Sequence, residues 1–175
     1  MSYNGFMCNL RLNDDRKVFV RKIEQRDAAA LKAFFENLGP GSHHMFRPHR
    51  FDEASIERQI AKAVDGTDWT YLVFDGDTVA AYFFLWGIRD AVPLLGIGIG
   101  DAYQNSALGH QLMDILIADA AILHRDGIKL TTLIENKRAF HLYQKKGFVH
   151  VGDVETVAPD GEKLLEHSMI LHLKK

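Results

Sequence analysis

The sequence has little of what marks several specialised classes of protein. It contains one cysteine, Cys8, which excludes an internal disulfide and a metal centre built from several thiolates. No apolar run reaches membrane-spanning length, and no stretch combines a basic start, an apolar segment and a small-residue cleavage site. We therefore expect a cytoplasmic protein that contacts no membrane.

Excess charge and linkers are missing as well. Lysine and arginine number 21 against 23 acidic residues, a net charge of −2, which argues against a nucleic-acid partner. With four prolines and no repeat or low-complexity linker, nothing in the 175 residues indicates a second domain. We predict a polar N-terminal arm over residues 1–14 and a single domain over residues 15–175. The oligomeric state is left open, with a homodimer as one option.

Hydrophobic periodicity predicts an α/β chain of seven strands and four helices. The strand from Val79 to Trp86 is apolar on both faces, which is typical of a strand at the centre of a sheet covered on both sides. The predicted strands are 17–23, 69–74, 79–86, 94–99, 129–134, 148–157 and 164–173, and the helices are 28–38, 52–64, 108–126 and 136–147. This order predicts a mixed sheet with helices on both faces.

One stretch organises the rest, the strand-turn-helix from Leu94 to Asp126. The strand alternates apolar residues with Gly96, Gly98 and Gly100, and a polar turn of small residues leads into the long helix. A helix start presents unpaired N–H groups at the positive end of the helix dipole, which is a site for phosphate or pyrophosphate. The glycines remove side-chain bulk, so we expect a linear ligand to lie against this strand.

Two motifs in this part of the chain resemble the signatures of the GNAT acyltransferase superfamily. The turn from Gln104 to Gly109 resembles that family's pyrophosphate loop, and the preceding segment LGIGIGDAY resembles its fourth strand. The segment from Asn136 to Phe148, NKRAFHLYQKKGF, resembles the next signature, N-x-x-A-x-x-L-Y-x-K-x-G-F. Ala107 stands where glycine is usual, and alanine is acceptable there if the residue is already helical, since only a positive φ would demand glycine.

The resemblance implies a mixed, mostly antiparallel GNAT-type α/β (α+β) sheet with a splay between strands four and five. It also implies acetyl-CoA, or another acyl-CoA, as co-substrate, and no metal. The backbone of the fourth strand would pair with the pantetheine, and the loop would hold the pyrophosphate. The cofactor-binding residues implied are Ile97, Ile99, Gln104, Asn105, Ser106, Ala107, Leu108, Gly109, His110, Asn136 and Tyr143.

By the same resemblance, we expect Tyr143 to be the general acid that protonates the departing thiolate, and the alternative is a packing aromatic on a short helix. Phenol can serve this role, because its pKa near 10 lies only mildly above that of a thiol near 8.5. The base is left open. Glu135 is the nearest acid in sequence to Asn136, His49 is a second candidate, and an ordered water chain is equally compatible.

The segment from Ser42 to Phe51 has the most unusual composition, with three histidines, two arginines and two phenylalanines. We predict a loop here, either packed by its own aromatics or contacting the acceptor. A metal site at the histidines is disfavoured, because adjacent histidines rarely both reach one ion. The candidate acceptor-binding residues are His43, Phe46, His49, Phe84 and Trp86, although core packing is the alternative for each aromatic.

These observations predict an acyl-CoA-dependent N-acyltransferase that transfers acetyl to the primary amine of a small molecule by direct attack. Many members of the family carry a glutamate at the start of the fourth strand, where this chain has Val92-Pro93-Leu94-Leu95. One alternative is therefore a catalytically silent acyl-CoA-binding domain that serves as a sensor or interaction module. The other is an acetyltransferase for a protein N-terminus or lysine.

Overall fold

The computed structural model describes residues 7–173, which form one sheet flanked by helices. The strands are β1 Met7–Arg11, β2 Lys17–Lys22, β3 Trp69–Asp75, β4 Thr78–Trp86, β5 Leu94–Ile99, β6 Gly127–Leu133, β7 Val149–Val157 and β8 Lys163–His172. The helices are α1 Ala28–Glu36, α2 Pro40–Met45, α3 Glu53–Val64, α4 Leu108–Ile122 and α5 Lys137–Lys145.

The strands lie in the order β1-β2-β3-β4-β5-β6-β8-β7, and every neighbouring pair except one is antiparallel. The exception is the parallel pair β5 and β6, whose ladder contains only the bridge between Leu94 and Lys129. Beyond this bridge the two strands separate. The expected GNAT-type sheet is confirmed, including the splay between the two strands on either side of the long helix.

The core has one layer on each face of the sheet, and β4 separates the two. Ala81, Phe83 and Leu85 pack on the side of α4, whereas Tyr82 and Phe84 pack on the side of α1 and α3. All five side chains are at most 2% exposed. The prediction of a central strand, apolar on both faces, is therefore confirmed.

The structure corrects the expected N-terminal arm over residues 1–14. Met7–Arg11 forms β1, which pairs with β2 through five residue pairs from Met7↔Arg21 to Arg11↔Lys17. Residues 1–6 of that predicted arm lie outside the described residues. The additional strand raises the count from seven to eight and makes the predicted fourth strand β5.

A helix also forms where a loop was predicted. Pro40, expected to end the preceding helix, occupies the first turn of α2, where proline is favoured because its missing N–H would be unpaired anyway. The segment from Ser42 to Phe51 therefore begins inside a helix and continues as a loop. Among residues 7–173, no helix is long and apolar enough to cross a membrane.

Candidate active site

The divergence of β5 and β6 opens a cleft of about 1360 Å³. Pro93 O accepts a hydrogen bond from Lys129 N at 3.0 Å, so the backbone groups of alternate residues along β5 point towards β6. Those of Ile97 and Ile99 therefore face the opening, beyond the last strand-to-strand bridge. Both residues line the cleft, together with the start of α4 and residues of α2, α5 and β8.

The turn before α4 supplies a run of free amides. The backbone N–H of Gln104 donates to Asp101 O and that of Gln111 to Ala107 O. Within the part of the chain that the structure describes, the six N–H groups from Asn105 to His110 between them have no hydrogen-bond partner. They lie at the N-terminus of a fifteen-residue helix, whose dipole adds positive potential. This is the arrangement that binds a phosphate or pyrophosphate.

The backbone of the loop does not meet the condition under which alanine would be acceptable at position 107. Ala107 is not helical but left-handed, with φ 66°, and Asn105 also has a positive φ of 61°. Asparagine tolerates this region better than most residues, whereas alanine is strained there by about 1–2 kcal/mol. The glycine that is usual at this position of the GNAT loop would adopt the left-handed conformation without strain, whereas Ala107 adopts it with strain.

The first hairpin holds this loop from the outside. Asn13, in the turn between β1 and β2, donates from its backbone N to Ser106 O at 3.2 Å and from Nδ2 to Asn105 O at 3.3 Å. The Ser106 hydroxyl donates to Tyr103 O. These bonds use the carbonyls of the loop and leave its amides pointing elsewhere, so they favour the strained conformation.

Gly96 and Gly98 of β5 make room for aromatic side chains. This corrects the expectation that a ligand lies directly against the strand at these two glycines. The Phe84 ring occupies the space that a Cβ at Gly96 would need, and the Phe46 ring does the same at Gly98. Trp86 stacks on Phe84 with ring centroids 3.8 Å apart. Phe46, Phe84 and Trp86 all line the cleft on the face opposite α4. They remain candidates for acceptor contact.

The short helix α2 spans the wide end of the divergence. Ser42 Oγ accepts a hydrogen bond of 2.8 Å from Gln104 Nε2, on the β5 side. His44 Nε2 lies 2.7 Å from Glu135 Oε1, on the β6 side. The side chain of Gln104 also bonds to Ile99 O and to Arg138, so it braces the cleft more than it presents itself to a ligand.

Two predicted base candidates thus have different surroundings. Glu135 does not line the cleft but pairs with His44, which does. The interpretation of His49 as a base or acceptor contact is corrected, because its ring is 8% exposed and lies behind the cleft wall. Its Nδ1 is 2.6 Å from Arg50 O, and its Nε2 accepts from the Tyr82 hydroxyl at 3.3 Å. Burial lowers the pKa of His49, because it disfavours the charged form of the ring.

His43 is corrected as well. Its ring is exposed outside the cleft and packs edge-on against Phe51 with centroids 4.8 Å apart. The three histidines of this segment therefore face three different partners and do not converge on one point.

A different group of potential metal ligands lies on β7 and β8. Asp153 Oδ1 is 2.8 Å from His150 Nε2 and 2.6 Å from His167 Nδ1. The three donor atoms lie within 4.8 Å of one another, but none of these residues lines the cleft. Two hydrogen bonds to one carboxylate account for the cluster.

Tyr143 reaches the cleft from α5. The side chain is 8% exposed and packs beside Phe148, and burial raises the pKa of its hydroxyl to about 12. Among the described residues its hydroxyl has no hydrogen-bond partner. It remains a protonated donor at any physiological pH. Asn136 caps α5, because its Oδ1 accepts from Ala139 N at 3.2 Å, and its Nδ2 is left for a ligand.

The charged residues of the cleft are mostly basic. The lining includes Arg47, Lys137, Arg138 and Lys145, together with three histidines, His44, His110 and His141. Glu166 on β8 is the one carboxylate among the described lining residues, and its Oε2 accepts from Thr156 Oγ1 at 2.6 Å. Sequence reasoning missed Glu166, Arg47 and Ser42, because no local motif links β8 or α2 to the cofactor strand.

Comparisons with known proteins agree with this geometry. The model of the acetyltransferase (GNAT) family matches residues 29–148, and the chain belongs to that family. A GNAT-family acetyltransferase from Streptococcus pneumoniae is 25% identical and has a TM-score of 0.71, over 89% of this chain and 99% of that one. No match is found among curated proteins.

Two further similar structures contain the cofactor. The yncA protein from Salmonella typhimurium, solved with its cofactor acetyl-CoA, is 17% identical with a TM-score of 0.71, over 90% of this chain and 95% of that one. Spermidine N-acetyltransferase from Vibrio cholerae, in complex with CoA and spermine, is 20% identical with a TM-score of 0.71. That alignment covers 89% of this chain and 95% of the Vibrio chain. At these identities the likeness shows the fold.

Proposed function

We propose that the protein is an acyl-CoA-dependent N-acyltransferase that transfers acetyl from acetyl-CoA to a primary amine of a small molecule. The observation that carries the proposal is the opening between β5 and β6 beside six free amides at the start of α4. One side of the cleft thus offers a strand edge to an amide-containing arm, and its end offers a pyrophosphate site.

In this proposal the pantetheine pairs with the backbone of Ile97 in the opening, as an added strand would. The pyrophosphate of CoA lies on residues 104–110. Lys137, Arg138 and Lys145 of α5 face the one phosphate group of CoA outside the pyrophosphate. A backbone N–H of β5 polarises the thioester carbonyl. These roles use main-chain groups, so the side chains of the loop matter mainly through their size.

The chemistry is a direct attack. The amine nitrogen forms a bond to the acyl carbon, the C–S bond breaks, and the sulfur leaves as a thiolate that receives a proton. Tyr143 is the proposed donor of that proton. Burial raises its pKa above that of an ordinary phenol, and the same burial also raises the proton affinity of a thiolate held beside it.

His44 is the proposed base that takes the proton from the amine. Imidazole is a common general base in enzymes, and the Glu135 carboxylate at 2.7 Å from Nε2 fixes the orientation of the ring. The other nitrogen, Nδ1, is left for the substrate. Glu135 then acts as a positioning residue and not as the base itself.

Two alternatives stay open to test. A silent acyl-CoA-binding domain would need the cofactor cleft but not the pairing of His44 with Glu135. A protein acetyltransferase would need an open approach for a chain terminus or lysine, whereas α2 crosses the mouth of this cleft from Gln104 to Glu135. The bridging helix therefore favours a small acceptor.

The test is calorimetric binding of CoA combined with acetyl-CoA turnover on a panel of small amines and peptides. A Cβ at Gly109 would lie 3.3 Å from Leu142 Cδ2 and 3.4 Å from Ile99 Cδ1, so Gly109→Glu adds bulk and negative charge where the pyrophosphate approaches. Ala118→Glu adds the same charge on an exposed turn of α4 and is the matched control. Undiminished CoA affinity in folded Gly109→Glu contradicts the cofactor site. Tight CoA binding without turnover on any amine selects the silent domain.

A further inference from the structure

The Arg47 guanidinium lies on the acceptor side of the cleft, and only one of its three nitrogens, Nη1, donates hydrogen bonds to the described residues. Its side chain is 10% exposed, and Nη1 donates to Asp160 at 2.7 Å and to Glu162 at 2.8 Å. These contacts fasten the segment after α2 to the turn between β7 and β8. They involve one end of the guanidinium only.

The other edge of that guanidinium is unpaired. Nε and Nη2 are buried, and no acceptor for either atom exists among residues 7–173. A buried donor without a partner is destabilising, because it has given up its hydrogen bond to water and gained none in return. Nε–H and one Nη2–H lie in the guanidinium plane and point in the same direction, and this pair of parallel donors matches the two oxygens of a carboxylate.

Trp86 provides a third unpaired donor in the same region. Its Nε1 is buried without an acceptor within the described chain, and the residue lines the cleft as Arg47 does. His49, two residues after Arg47, has its ring centroid 6.2 Å from that of Trp86, so the segment that carries Arg47 passes beside the indole. The unpaired buried atoms of Arg47 and Trp86 are all donors, which calls for a ligand group that only accepts hydrogen bonds.

The distribution of charge agrees with an anionic group at this place. Lys137, Arg138 and Lys145 belong to α5, beside the proposed phosphate site, and Arg47 is the lining cation of the opposite wall. Asp160 and Glu162, which pair with Arg47, are at least half exposed and do not line the cleft. With Glu166 as the one lining carboxylate in the described residues, the cleft is poorly matched to a polycationic acceptor.

We infer that the acceptor is an amino carboxylate, whose carboxylate binds the Nε–Nη2 edge of Arg47 and the indole N–H of Trp86. The inference rests on the proposed N-acyltransferase function. The apolar part of the acceptor lies against Phe46 and Phe84, and its amine reaches the thioester near His44. Arg47 Nε, Arg47 Nη2 and Trp86 Nε1 are buried from solvent in the free chain. Binding of the carboxylate therefore includes a local shift of neighbouring side chains that exposes these three donors.

The experiment compares isosteric acceptors. Acetyl-CoA turnover is measured with α-, β- and γ-amino acids bearing apolar side chains and with the carboxamide of each. The wild type is expected to prefer at least one acid over its amide by roughly 100-fold in kcat/KM, because the amide leaves buried donors unpaired. The amine of an α-amino amide is less basic than the amine of the corresponding α-amino acid. More of the amide is therefore present with a neutral, nucleophilic amine, so amine ionisation cannot produce a preference for the acid.

Variants then assign the preference to residues. Arg47→Gln and Trp86→Phe are expected to reduce the acid-to-amide ratio, by roughly tenfold or more for Arg47→Gln, mainly through KM. Arg50→Gln is the matched control, since Arg50 lies on the same segment, bonds to Pro159 O in the same turn between β7 and β8, and does not itself line the cleft. A purely structural Arg47 would lower the rates for acid and amide equally and leave the ratio unchanged.

The outcomes separate this inference from the proposed function. Turnover of amines without any preference for acids, or a preference for an aminoalkyl phosphate over every amino acid, overturns the carboxylate subsite and leaves the acyltransferase intact. Absence of turnover on every acceptor overturns the proposed function itself. If Arg47→Gln fails to fold, the ratio in Trp86→Phe decides.

Discussion

The hydrogen bond of 2.8 Å from Gln104 Nε2 to Ser42 Oγ joins the turn before α4 to the helix that crosses the cleft. Gln104 was expected to bind the cofactor, but its amide is engaged with Ser42, Ile99 O and Arg138. The cofactor side and the acceptor side of the cleft are therefore mechanically connected. A substitution on the cofactor side is therefore expected to alter binding on the acceptor side, and the reverse.

The first prediction tests that connection with a double-mutant cycle. Gln104→Ala and Ser42→Ala should show a coupling free energy of about 1 kcal/mol in denaturant unfolding, the usual net value of one hydrogen bond. Both single variants should also raise the acceptor KM more than the dissociation constant of CoA. Strictly additive effects would mean that the bond does not brace the cleft.

A second prediction concerns the left-handed Ala107. Ala107→Gly should raise the free energy of unfolding by about 0.5–1 kcal/mol, because glycine adopts φ 66° without strain although its unfolded state is more flexible. The same substitution at Ala118, exposed in the middle of α4, should lower it by about 1 kcal/mol. Thermal or denaturant unfolding measures both. If both substitutions changed the free energy of unfolding in the same direction, Ala107 would not be strained.

The third prediction separates the roles of the histidines on α2. His44→Gln should lower kcat/KM for the amine roughly 100-fold while CoA affinity is kept, since general-base contributions run about 10²–10⁴-fold. The adjacent, exposed His43→Gln is the control and should leave the rate within about twofold. Glu135→Gln should give an intermediate loss. A larger loss of kcat/KM in Glu166→Gln than in His44→Gln would instead assign the role of general base to Glu166 on β8.

Tyr143→Phe is the fourth change. It should lower kcat and kcat/KM together by roughly 10²–10⁴-fold without affecting the fold or CoA binding, because the lost contact exists only in the transition state. Burial raises the pKa of Tyr143 to about 12, so the hydroxyl stays protonated as pH rises through the assay range. The deficit should therefore be constant between about pH 6 and pH 10. A deficit below about threefold would assign the proton to water.

The fifth prediction addresses His49 as a buried packing residue. His49→Ala should destabilise the protein by about 2–4 kcal/mol, because it removes a buried ring and leaves the Tyr82 hydroxyl without an acceptor. The additional change Tyr82→Phe should recover part of that loss. CoA affinity and acceptor KM should change little in protein that remains folded.

The same residue makes stability depend on pH. Burial lowers the pKa of His49 in the folded state below its ordinary value near 6.5, so the unfolded chain binds the proton more readily in acid. Stability linked to His49 is complete above about pH 7.5 and declines as pH falls below about 6.5. His49→Gln should show a shallower decline in denaturant unfolding across this range, and an equal slope would contradict a neutral His49.

Much of the cofactor half of the site could be predicted from the sequence. Leu94 to Asp126 forms β5, the turn and α4, because period-two and helical spacing are local properties of the chain. The splay beside this stretch was implied by the resemblance to the GNAT family and is present in the structure. The helix at residues 40–45 and the strand at residues 7–11 were missed. Each is short, and β1 depends on pairing with β2 more than on a strong pattern of its own.

The sequence by itself determined the fold class, the amide-rich turn and the placement of Tyr143 and Asn136, since each depends on neighbours a few residues away. Only the tertiary structure decided what surrounds the acceptor. His44 meets Glu135 across 91 residues, and Arg47 meets Asp160 across 113. Likewise Phe46 covers Gly98, and His49 turns away to Tyr82. Contacts between residues so far apart depend on how helices and hairpins pack over the sheet, and no local periodicity records that packing.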